Sequence, residues 1–448
     1  MNYTLMEHQK KALDISRGND AYCFFHDMGT GKTLTGIEII KDKDVKTLIV
    51  CPVSLIKNAW IVNLKKWSPE LLDDTVNLWQ LWSKKNRKNG LDRYQNAIND
   101  CKIAIINYEG LKNQFKYLEK AGFEMILLDE SSKVKNPKAK ATKLAHKICD
   151  NIKYRYLFSG SPAARSELDY FSQIRIAFPS LWGKRYYAWR EKYFNPKGDF
   201  WFTMKPEIVG QFKRELASIS DVVRRDEVLD LPEQTFTDIE VELSSVEAKA
   251  YKEMKKHYLY QHEKEFHEAS TTAVKLLKLR EITSGFIDKQ VIGDSKLNAL
   301  LELLEEIGNH QVVIWTNFNV ECDEIMKAIP DKCVRIDGTV KHADREDRLE
   351  RFLNGKAQYL LSKPSCLGHG ENWVHCNYMI HYSSDYNLDT YIQSLARIHR
   401  YGQKNTCSYY TLLATINGTR TIDHFVQNSR NNKENMMLNI LLSCQKEK

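Results

Sequence analysis

Short apolar runs alternate with longer amphipathic stretches over the first third of the chain. The apolar runs predict buried strands, and segments such as Thr33–Ile40 and Leu55–Trp67 between them predict helices. This alternation favours a parallel sheet with helices on both faces. The predicted strands are Ala21–Phe25, Thr47–Cys51, Ile103–Ile106, Met125–Leu128 and Arg155–Phe158.

A second series of apolar runs begins after the middle of the chain. Its predicted strands are Val312–Trp315, Cys333–Ile336, Gln358–Leu361, Tyr378–His381 and Tyr409–Leu413. Between the two series, residues 163–230 read as helical and rich in aromatics, and residues 244–285 read as helical and charged. The sequence therefore predicts an α/β protein with two parallel-sheet lobes and a helical insertion. The predicted limits are 1–162 for the first lobe, 163–290 for the insertion and bridge, with a return to the first lobe near 220–240, and 291–448 for the second lobe.

Composition narrows the class of protein. The chain has 448 residues, 42% of them hydrophobic, and a formal net charge of +8. No apolar run approaches the ~18 residues of a membrane helix, and the N-terminal residues lack a secretory pattern, so we expect a cytoplasmic protein that does not enter a membrane. The ten cysteines are scattered without a Cys-x-x-Cys pair, which predicts reduced thiols. The mild positive charge permits a polyanionic partner without requiring one.

A glycine-rich string follows the first predicted strand, where residues 26–33 read His-Asp-Met-Gly-Thr-Gly-Lys-Thr. A loop of this kind between a strand and a helix is typical of phosphate binding, because its backbone N–H groups and the positive end of the helix both face the anion. Lys32 would reach the β and γ phosphates of ATP, and the Thr33 hydroxyl would ligate Mg²⁺. His26 stands where the full pattern has glycine, so a simple glycine-rich turn is the alternative. The residues predicted to bind ATP here are Met28, Gly29, Thr30, Gly31, Lys32 and Thr33.

Two carboxylates, Asp129 and Glu130, follow directly after an apolar strand. The carboxyl ends of parallel strands are where ligands bind in α/β proteins. Asp129 would hold Mg²⁺ and Glu130 would polarise an attacking water, which makes both catalytic candidates. A strand that simply leads into a polar loop is the alternative, and the upstream phosphate loop argues against it.

An arginine-containing string occupies residues 393–403 in the second series. Arg397 and Arg400 are three residues apart, so on a helix they would share a face. Two guanidinium groups on one face suit a triphosphate, and an arginine finger contributes about 10³–10⁵ in rate. We therefore predict that both are catalytic, with an exposed basic helix as the alternative.

These strings, in this order, resemble the Swi/Snf branch of the superfamily 2 helicases and translocases, in its compact, phage-type form. The resemblance implies two RecA-like lobes that hydrolyse ATP with Mg²⁺ in the cleft between them and step along DNA. Besides the strings above, it rests on residues 5–9, 51–56 with Trp60, 106–109, 274–285, 294–297, 314–318, 336–338 and 383–387.

The resemblance also assigns residues for ligand contact. Gln9 would read adenine, and Gly370 and Gln393 would contact ATP. One departure is Ser132, which stands where the family has histidine and puts the coupling to Gln393 in doubt. The implied DNA contacts are Ser54, Lys57, Asn107, Asn317, Lys341 and Lys363.

Three consecutive aromatic residues, Phe200, Trp201 and Phe202, follow a Lys-Gly-Asp turn signal. Three neighbouring aromatics at a turn cannot all face one core, so Phe200 and Trp201 are candidates for stacking on unpaired bases at a DNA fork. Ordinary helix packing is the alternative for most aromatics of this region. A zinc site among Cys366, His369, His375, Cys376 and His381 has no recognised ligand spacing and is not favoured.

The sequence thus predicts a monomeric enzyme that uses ATP and Mg²⁺ to move along duplex or branched DNA without sequence preference. Two alternatives stay open. The first is an RNA-directed helicase of the same architecture, and the second is a nucleic-acid-binding module with a weak ATP site.

Overall fold

A computed structural model describes residues 3–86, 89–198, 201–264, 269–364, 366 and 372–446. The chain divides into two compact units. Of the described residues, those within 3–230 and 433–446 form the first unit, and those within 231–366 and 372–432 form the second. Each unit contains a large parallel sheet with its own apolar core, which confirms the predicted fold class. The finer limits at 162 and 290 stay a prediction.

The described part of the first unit contains nine strands. They are β1 (Ala21–His26), β2 (Thr47–Cys51), β3 (Thr75–Asn77), β4 (Ile103–Asn107), β5 (Met125–Asp129), β6 (Tyr154–Phe158), β7 (Phe194–Lys197), β8 (Trp201–Met204) and β9 (Ser220–Val223). Seven of them form one sheet in the order β3-β4-β2-β5-β6-β1-β9, with every neighbouring pair parallel. The strands β7 and β8 form a separate antiparallel hairpin.

Helices cover the sheet of the first unit because their apolar residues recur at helical spacing. Ile37, Ile39 and Ile40 are buried in the core with Phe24, whose ring stacks on that of Phe158 at 5.0 Å between centroids. The helices up to residue 230 are α1 (Glu7–Gly18), α2 (Lys32–Lys43), α3 (Val53–Leu55), α4 (Val62–Trp67), α5 (Pro69–Asp73), α6 (Leu78–Ser83), α7 (Gly90–Asp100), α8 (Tyr108–Asn113), α9 (Phe115–Leu118), α10 (Lys140–Cys149), α11 (Tyr170–Ala177), α12 (Tyr186–Tyr193), α13 (Val209–Ile219) and α14 (Arg225–Val228).

Shorter helical forms occur between these elements. A π-helix (Ile56–Ile61) joins α3 to α4, and 3₁₀ turns occupy Ser131–Val134, Glu167–Asp169 and Pro206–Ile208. The single helix predicted over Leu55–Trp67 is therefore interrupted by a wider turn.

The second unit repeats the parallel plan. Its described strands are β10 (Gln234–Glu242), β11 (Phe286–Ile287), β12 (Gln290–Val291), β13 (Val312–Trp315), β14 (Cys333–Ile336), β15 (Tyr359–Ser362), β16 (Tyr378–His381), β17 (Cys407–Ile416) and β18 (Thr419–Arg420). The main sheet has the order β10-β17-β16-β13-β15-β14, all parallel, and β18 pairs antiparallel with β17.

The described residues after 230 form seven further helices. They are α15 (Ser245–Lys264), α16 (Ala269–Thr283), α17 (Ser295–Ile307), α18 (Asn319–Ala328), α19 (His342–Leu353), α20 (Leu388–Leu395) and α21 (Ile422–Lys446). In the part of the chain that the structure describes, no helix is long and apolar enough to cross a bilayer.

A buried ion pair stabilises the second unit. Lys296 is 1% exposed, and its Nζ donates to Asp423 Oδ2 at 2.6 Å. The Thr283 hydroxyl donates to the other carboxylate oxygen at 2.9 Å, and the Ala414 N–H also donates to Asp423. Because these donors satisfy the carboxylate, the pair ties α16, α17, β17 and α21 into one network.

The ten cysteines are all free thiols. Nine of them are buried, and Cys366 is the partly exposed one. Burial raises the pKa of the Cys149 and Cys333 thiols to about 12. Such thiols are poor nucleophiles in the folded protein.

Sequence reasoning located ten of the strands, and Thr47–Cys51, Val312–Trp315, Cys333–Ile336 and Tyr378–His381 are confirmed with the same limits. It missed the short strands β7, β8, β11, β12 and β18, and it also missed β3, β9 and β10 of the two large sheets. The strand β3 has three residues, β9 begins with the polar pair Ser220-Asp221, and β10 is largely exposed. The prediction that residues 163–230 are helical is wrong for β9 and for the hairpin β7–β8.

Candidate functional site

The phosphate loop lies between β1 and the helix α2. Gly29 and Gly31 have φ values of +88° and +82°, in the left-handed region that favours glycine. A Cβ on Gly31 would lie 2.4 Å from Gln9 Nε2, so a larger residue would collide with that side chain. The glycines therefore permit both the turn and the close approach of Gln9.

Lys32 is the first residue of α2 and is half-buried. Its Nζ donates to the backbone oxygens of His26 at 2.9 Å and Asp27 at 3.1 Å. The ammonium group is thus folded over the loop and its acceptors are main-chain carbonyls. An incoming phosphate can replace these neutral acceptors with a charged one.

The start of α1 is fastened to this loop. His8 Nε2 is 2.8 Å from the Thr30 oxygen, and Gln9 Nε2 donates to the Gly31 oxygen at 3.4 Å. Gln9 Oε1 also accepts the Met6 N–H at 2.9 Å. The residue predicted to read adenine therefore contacts the phosphate loop directly.

The acidic pair ends β5. Asp129 is 3% exposed and Glu130 is 4% exposed, and Glu130 has a left-handed φ of +57°. Burial raises the pKa of Asp129, while the Lys32 charge and a hydrogen bond from Trp60 oppose that rise. The Tyr108 hydroxyl donates to the Asp129 backbone oxygen at 2.7 Å. The carboxylate is held at the edge of the sheet by elements that are distant in sequence.

The residues after the acidic pair have structural roles. The Ser131 hydroxyl donates to Gln173 Oε1 at 2.7 Å, and Gln173 Nε2 donates to the Pro162 oxygen at 2.7 Å. Ser132, which replaces the histidine of the resembled family, is 1% exposed. Its Oγ has no hydrogen-bond partner among the described residues.

This arrangement fits a nucleotide with a divalent cation. The loop offers N–H groups at the start of a 12-residue helix together with a lysine ammonium, which is the chemistry that binds phosphates. Asp129 supplies a buried carboxylate within the field of Lys32, and Thr33 places a hydroxyl in the first turn of α2. Carboxylate and hydroxyl oxygens are the ligands that Mg²⁺ prefers.

Sequence reasoning missed a buried cluster behind the loop. His26 is 0% exposed, and its Nε2 lies 3.0 Å from Asp221 Oδ2. Lys11 pairs with the other Asp221 oxygen at 2.8 Å. Burial lowers the pKa of His26, so its neutral ring donates through Nε2. Burial alone would raise the pKa of Asp221, but these two hydrogen bonds hold it well below its usual value.

The cluster explains the departure at position 26. Histidine stands where the usual pattern has the first glycine of the loop, and here its ring binds Asp221 of β9. Since 195 residues separate the two partners, no local sequence signal could have shown the contact.

The arginine string does not form the expected helix throughout. The helix α20 ends at Leu395, so Arg397 and Arg400 lie in the turns that follow it, and the argument from a shared helical face does not hold. Arg397 is 6% exposed, with its guanidinium 5.7 Å from the Trp373 ring centroid. Arg400 is half-buried, and burial lowers its pKa.

Other residues of this string stabilise the second unit. His399 Nε2 lies 2.8 Å from the Pro232 oxygen, and Gln403 Nε2 donates to the Cys376 oxygen at 3.0 Å. Gln393 is buried and donates to Asp389 Oδ1 at 3.2 Å. His399 and Gln403 therefore hold the turns that carry the arginines.

The DNA contacts implied for the first unit differ in exposure. Lys57 is exposed and Ser54 is half-buried, at the start of the helical stretch after β2. Asn107 is buried, and its side chain accepts the Gly110 N–H at 3.1 Å as the N-cap of α8. Its side chain is thus used within the fold, and its DNA contact stays a prediction.

In the second unit, Asn317 Nδ2 donates to the Ser383 hydroxyl at 3.2 Å, and the Asn317 N–H donates to Glu321 at 2.8 Å. Lys363 is half-buried and bonds to Asn319. Lys341 is exposed and precedes α19. Nothing in these contacts tests their predicted role on DNA.

The aromatic hairpin presents two different faces. Trp201 is 75% exposed, the highest value for a large hydrophobic side chain in the part of the chain that the structure describes. The Arg190 guanidinium lies over the Phe202 ring, with its Cζ 3.9 Å from the ring centroid. The predicted contacts Phe200 and Gly370 lie outside the described residues, and so does His369 of the disfavoured zinc site.

Two family models match the chain. The SNF2-related domain matches residues 8–310, and the helicase conserved C-terminal domain matches residues 295–402. Both overlap the strings on which the sequence resemblance rests.

Individual proteins are similar over nearly the whole chain. It is 27% identical to the DNA repair protein rhp54 of Schizosaccharomyces pombe, over 87% of this chain and 52% of that protein. It is 25% identical to the putative protein p41 of Acyrthosiphon pisum secondary endosymbiont phage 1, over 97% of this chain and 96% of that one. The solved Sulfolobus solfataricus SWI2/SNF2 ATPase core in complex with dsDNA is 22% identical with a TM-score of 0.46, over 92% of this chain and 88% of that one.

The chain spans only 40 to 52% of the length of three curated relatives, including rhp54. The first family model alone nevertheless matches more than half of the chain. The protein belongs to the SNF2-related family of superfamily 2 ATPases.

Proposed function

We propose that the protein is an ATP-dependent DNA translocase that hydrolyses ATP to move along duplex or branched DNA. The observation that carries the proposal is the joint presence of Lys32 and Asp129 at one sheet edge. The strands β1 and β5 both neighbour β6 in a parallel sheet, so their carboxyl ends share that edge. Binding of phosphate and of a divalent cation side by side is what ATP hydrolysis requires.

Each residue of the first unit has a proposed role. Lys32 and the loop N–H groups bind the β and γ phosphates, and Gln9 orients the base. Asp129 and Thr33 hold Mg²⁺, while Glu130 accepts a proton from the attacking water. Bound Mg-ATP supplies the phosphoanhydride bond that is broken.

In the second unit, we propose that Arg397 and Arg400 stabilise the charge that develops on the transferred phosphoryl group. A guanidinium that is partly removed from water interacts with an anion more strongly than an exposed one. Gln393 and Gly370 are proposed to contact the nucleotide.

The first experiment compares the ATPase rate on single-stranded, duplex, forked and four-way DNA and on duplex and single-stranded RNA. The proposal expects stimulation by DNA and little by RNA. Lys32→Ala and Glu130→Gln should abolish the stimulated rate, and full activity in either variant would contradict the site assignment.

The two alternatives give different outcomes in the same assay. Stronger stimulation by RNA would favour the RNA-directed helicase. DNA binding without stimulated turnover would favour a binding module with a weak ATP site. The DNA repair protein among the relatives supports the choice of DNA.

Preference for branched DNA is the finer part of the proposal, and the hairpin β7–β8 supports it. The register pairs Lys197 with Trp201 and Asn195 with Thr203, so these four side chains share one face. All four are exposed. An exposed indole beside an ammonium group suits an unpaired base with its phosphate, at about 1–3 kcal/mol of stacking per base.

The opposite face of the hairpin is anchored. Phe202 packs under Arg190, and Phe194 is buried against the Trp189 ring at 5.2 Å between centroids. Strand separation at a fork needs such a supported aromatic, because a mobile one would lose ordering entropy on stacking.

Trp201→Ala tests this role, and Trp79→Ala is the matched control, since Trp79 is also exposed in the first unit at 41%. We expect the Trp201 variant to bind forked DNA roughly 5- to 160-fold more weakly, as loss of one stacking contact implies. Its duplex-stimulated ATPase rate should be unchanged. Equal loss of both activities, or equal loss in the control, would contradict the role.

A further inference from the structure

The helical stretch after β2 contains an unusual turn. Its residues are α-helical over Val53–Leu55, π-helical over Ile56–Ile61 and α-helical again over Val62–Trp67. π-helical turns are rare, and they frequently occur at functional sites. Here the π-helical turn contains Trp60, whose side chain is 1% exposed.

Trp60 contacts both halves of the nucleotide site. Its Nε1 donates to Asp129 Oδ2 at 3.0 Å. Its ring lies against Gly36 of α2, where an added Cβ would be 2.8 Å from the indole Cη2. The same side chain therefore touches the helix that carries the phosphate loop and the carboxylate proposed to hold Mg²⁺.

The same stretch also carries the proposed DNA contacts. Lys57 is three residues before Trp60, within the π-helical segment, and Ser54 lies in the preceding turn. Lys57 is exposed, while Trp60 faces the core. One short helical segment thus carries an exposed lysine and an indole N–H that donates to Asp129.

A neighbouring tryptophan shows what a purely structural hydrogen bond looks like. Trp67 is seven residues further on, and its Nε1 donates to Asn63 Oδ1 at 3.0 Å. That bond has the same length, but it joins two residues one turn apart on the same helix. The Trp60 bond instead joins residues that are 69 positions apart.

We propose that Trp60 is a positioning residue that couples DNA binding at Ser54 and Lys57 to nucleotide binding at Asp129. The inference rests on the proposed function. DNA that restrains the π-helical segment also restrains the indole, and the indole N–H fixes the orientation of the carboxylate. Removal of that N–H leaves the DNA surface and the phosphate loop in place, but DNA binding then no longer changes the affinity for the nucleotide.

Equilibrium binding tests the coupling without turnover. The probe is a fluorescent non-hydrolysable ATP analogue with Mg²⁺, titrated with and without a saturating short duplex. In the wild type we expect DNA to tighten nucleotide binding by a factor in the range of about 5–150 that is typical of coupled sites. In Trp60→Phe this factor should fall to within twofold of one, while Trp67→Phe should keep the wild-type factor.

Thermodynamic reciprocity provides an internal check. The nucleotide must tighten duplex binding by the same factor in each variant. The affinity of Trp60→Phe for duplex DNA in the absence of nucleotide should equal that of the wild type, because its DNA-facing residues are unchanged. If Trp60 had only a structural role, its replacement would weaken the binding of both nucleotide and DNA but leave the coupling factor unchanged.

A wild-type coupling factor in Trp60→Phe would overturn the inference, and so would a factor of one in the wild type itself. The proposed function is judged separately, by whether DNA stimulates ATP hydrolysis. If Trp60→Phe does not fold, replacement of Trp60 with 3-benzothienylalanine removes the N–H and keeps the ring volume. Retention of the factor in that protein overturns the inference equally.

Discussion

The two units bury charged residues for different purposes, and a pair of lysines shows the difference. Lys32 in the first unit donates to main-chain oxygens, beside a carboxylate that burial makes more basic. Lys296 in the second unit donates to the Asp423 carboxylate, which also accepts from the Thr283 hydroxyl and the Ala414 N–H. The lysine of the first unit is thus held by main-chain acceptors beside a buried carboxylate, whereas the lysine of the second unit holds helices and a strand together.

Substitution of Arg400 should have the largest effect on ATP turnover, because this arginine of the second unit is proposed to stabilise the transferred phosphoryl group. Arg400→Ala should lower DNA-stimulated ATP turnover by about 10³–10⁵, as for loss of an arginine finger. Arg351→Ala, at an exposed arginine of α19, is the control and should keep its rate. Wild-type ATP turnover in Arg400→Ala would contradict a catalytic role for Arg400 in the second unit.

Lys296→Ala should act on stability. It leaves Asp423 buried without its cation, which typically costs about 3–5 kcal/mol in the free energy of unfolding. Chemical denaturation followed by far-UV circular dichroism measures this cost. Lys32→Ala should be far less destabilised, although it loses ATP turnover. A larger loss of stability in Lys32→Ala than in Lys296→Ala would contradict the different roles of the two lysines.

Buried histidines make both units sensitive to acid. Burial lowers the pKa of His146 in the first unit to about 4 and that of His381 in the second to about 3. An unfolded histidine takes up a proton near pH 6.5, so between that pH and the folded pKa the unfolded state binds more protons. Stability should therefore fall as pH drops below about 6.5, by about 2 kcal/mol for each of these histidines at pH 5.

Denaturation midpoints between pH 7 and pH 5 measure this loss. His146→Gln should have a smaller pH dependence than the wild type, while His310→Gln, at an exposed histidine, should not differ from it. An unchanged pH dependence in His146→Gln would contradict the assignment.

The smallest expected effect concerns the DNA surface of the first unit. Lys57→Ala should reduce the slope of log affinity against log salt on duplex DNA by about 0.9, the loss of one neutralised phosphate. Lys120→Ala, at an exposed lysine that precedes β5, should leave the slope unchanged. Fluorescence anisotropy at several salt concentrations resolves the difference.

The sequence predicted those features whose residues are close together in the chain. Apolar runs located β2, β13, β14 and β16 with the observed limits, because buried parallel strands are apolar on both faces. The glycine-rich loop was equally readable, since its backbone geometry restricts which residues fit. Family resemblance supplied the predicted role of Gln9, while the predicted role of the two arginines came from their spacing and charge.

Long-range contacts were beyond reach of the sequence. The partner of His26 comes from β9, which was not predicted as a strand because it begins with polar residues. The partner of Trp60 comes from β5. The turns after α20 also escaped prediction, because Gln403 and His399 stabilise them through main-chain oxygens that carry no sequence signature.

The distribution of thiols has a practical consequence. With nine cysteines enclosed in the folded protein, a thiol-reactive dye should label native molecules at Cys366 and little elsewhere. Each cysteine that reacts beyond this first one then marks an opening of the fold around it. Mass spectrometry of labelled peptides would tell which unit opens first. The buried cysteines thus act as internal reporters, and their labelling rates measure the opening of each unit separately.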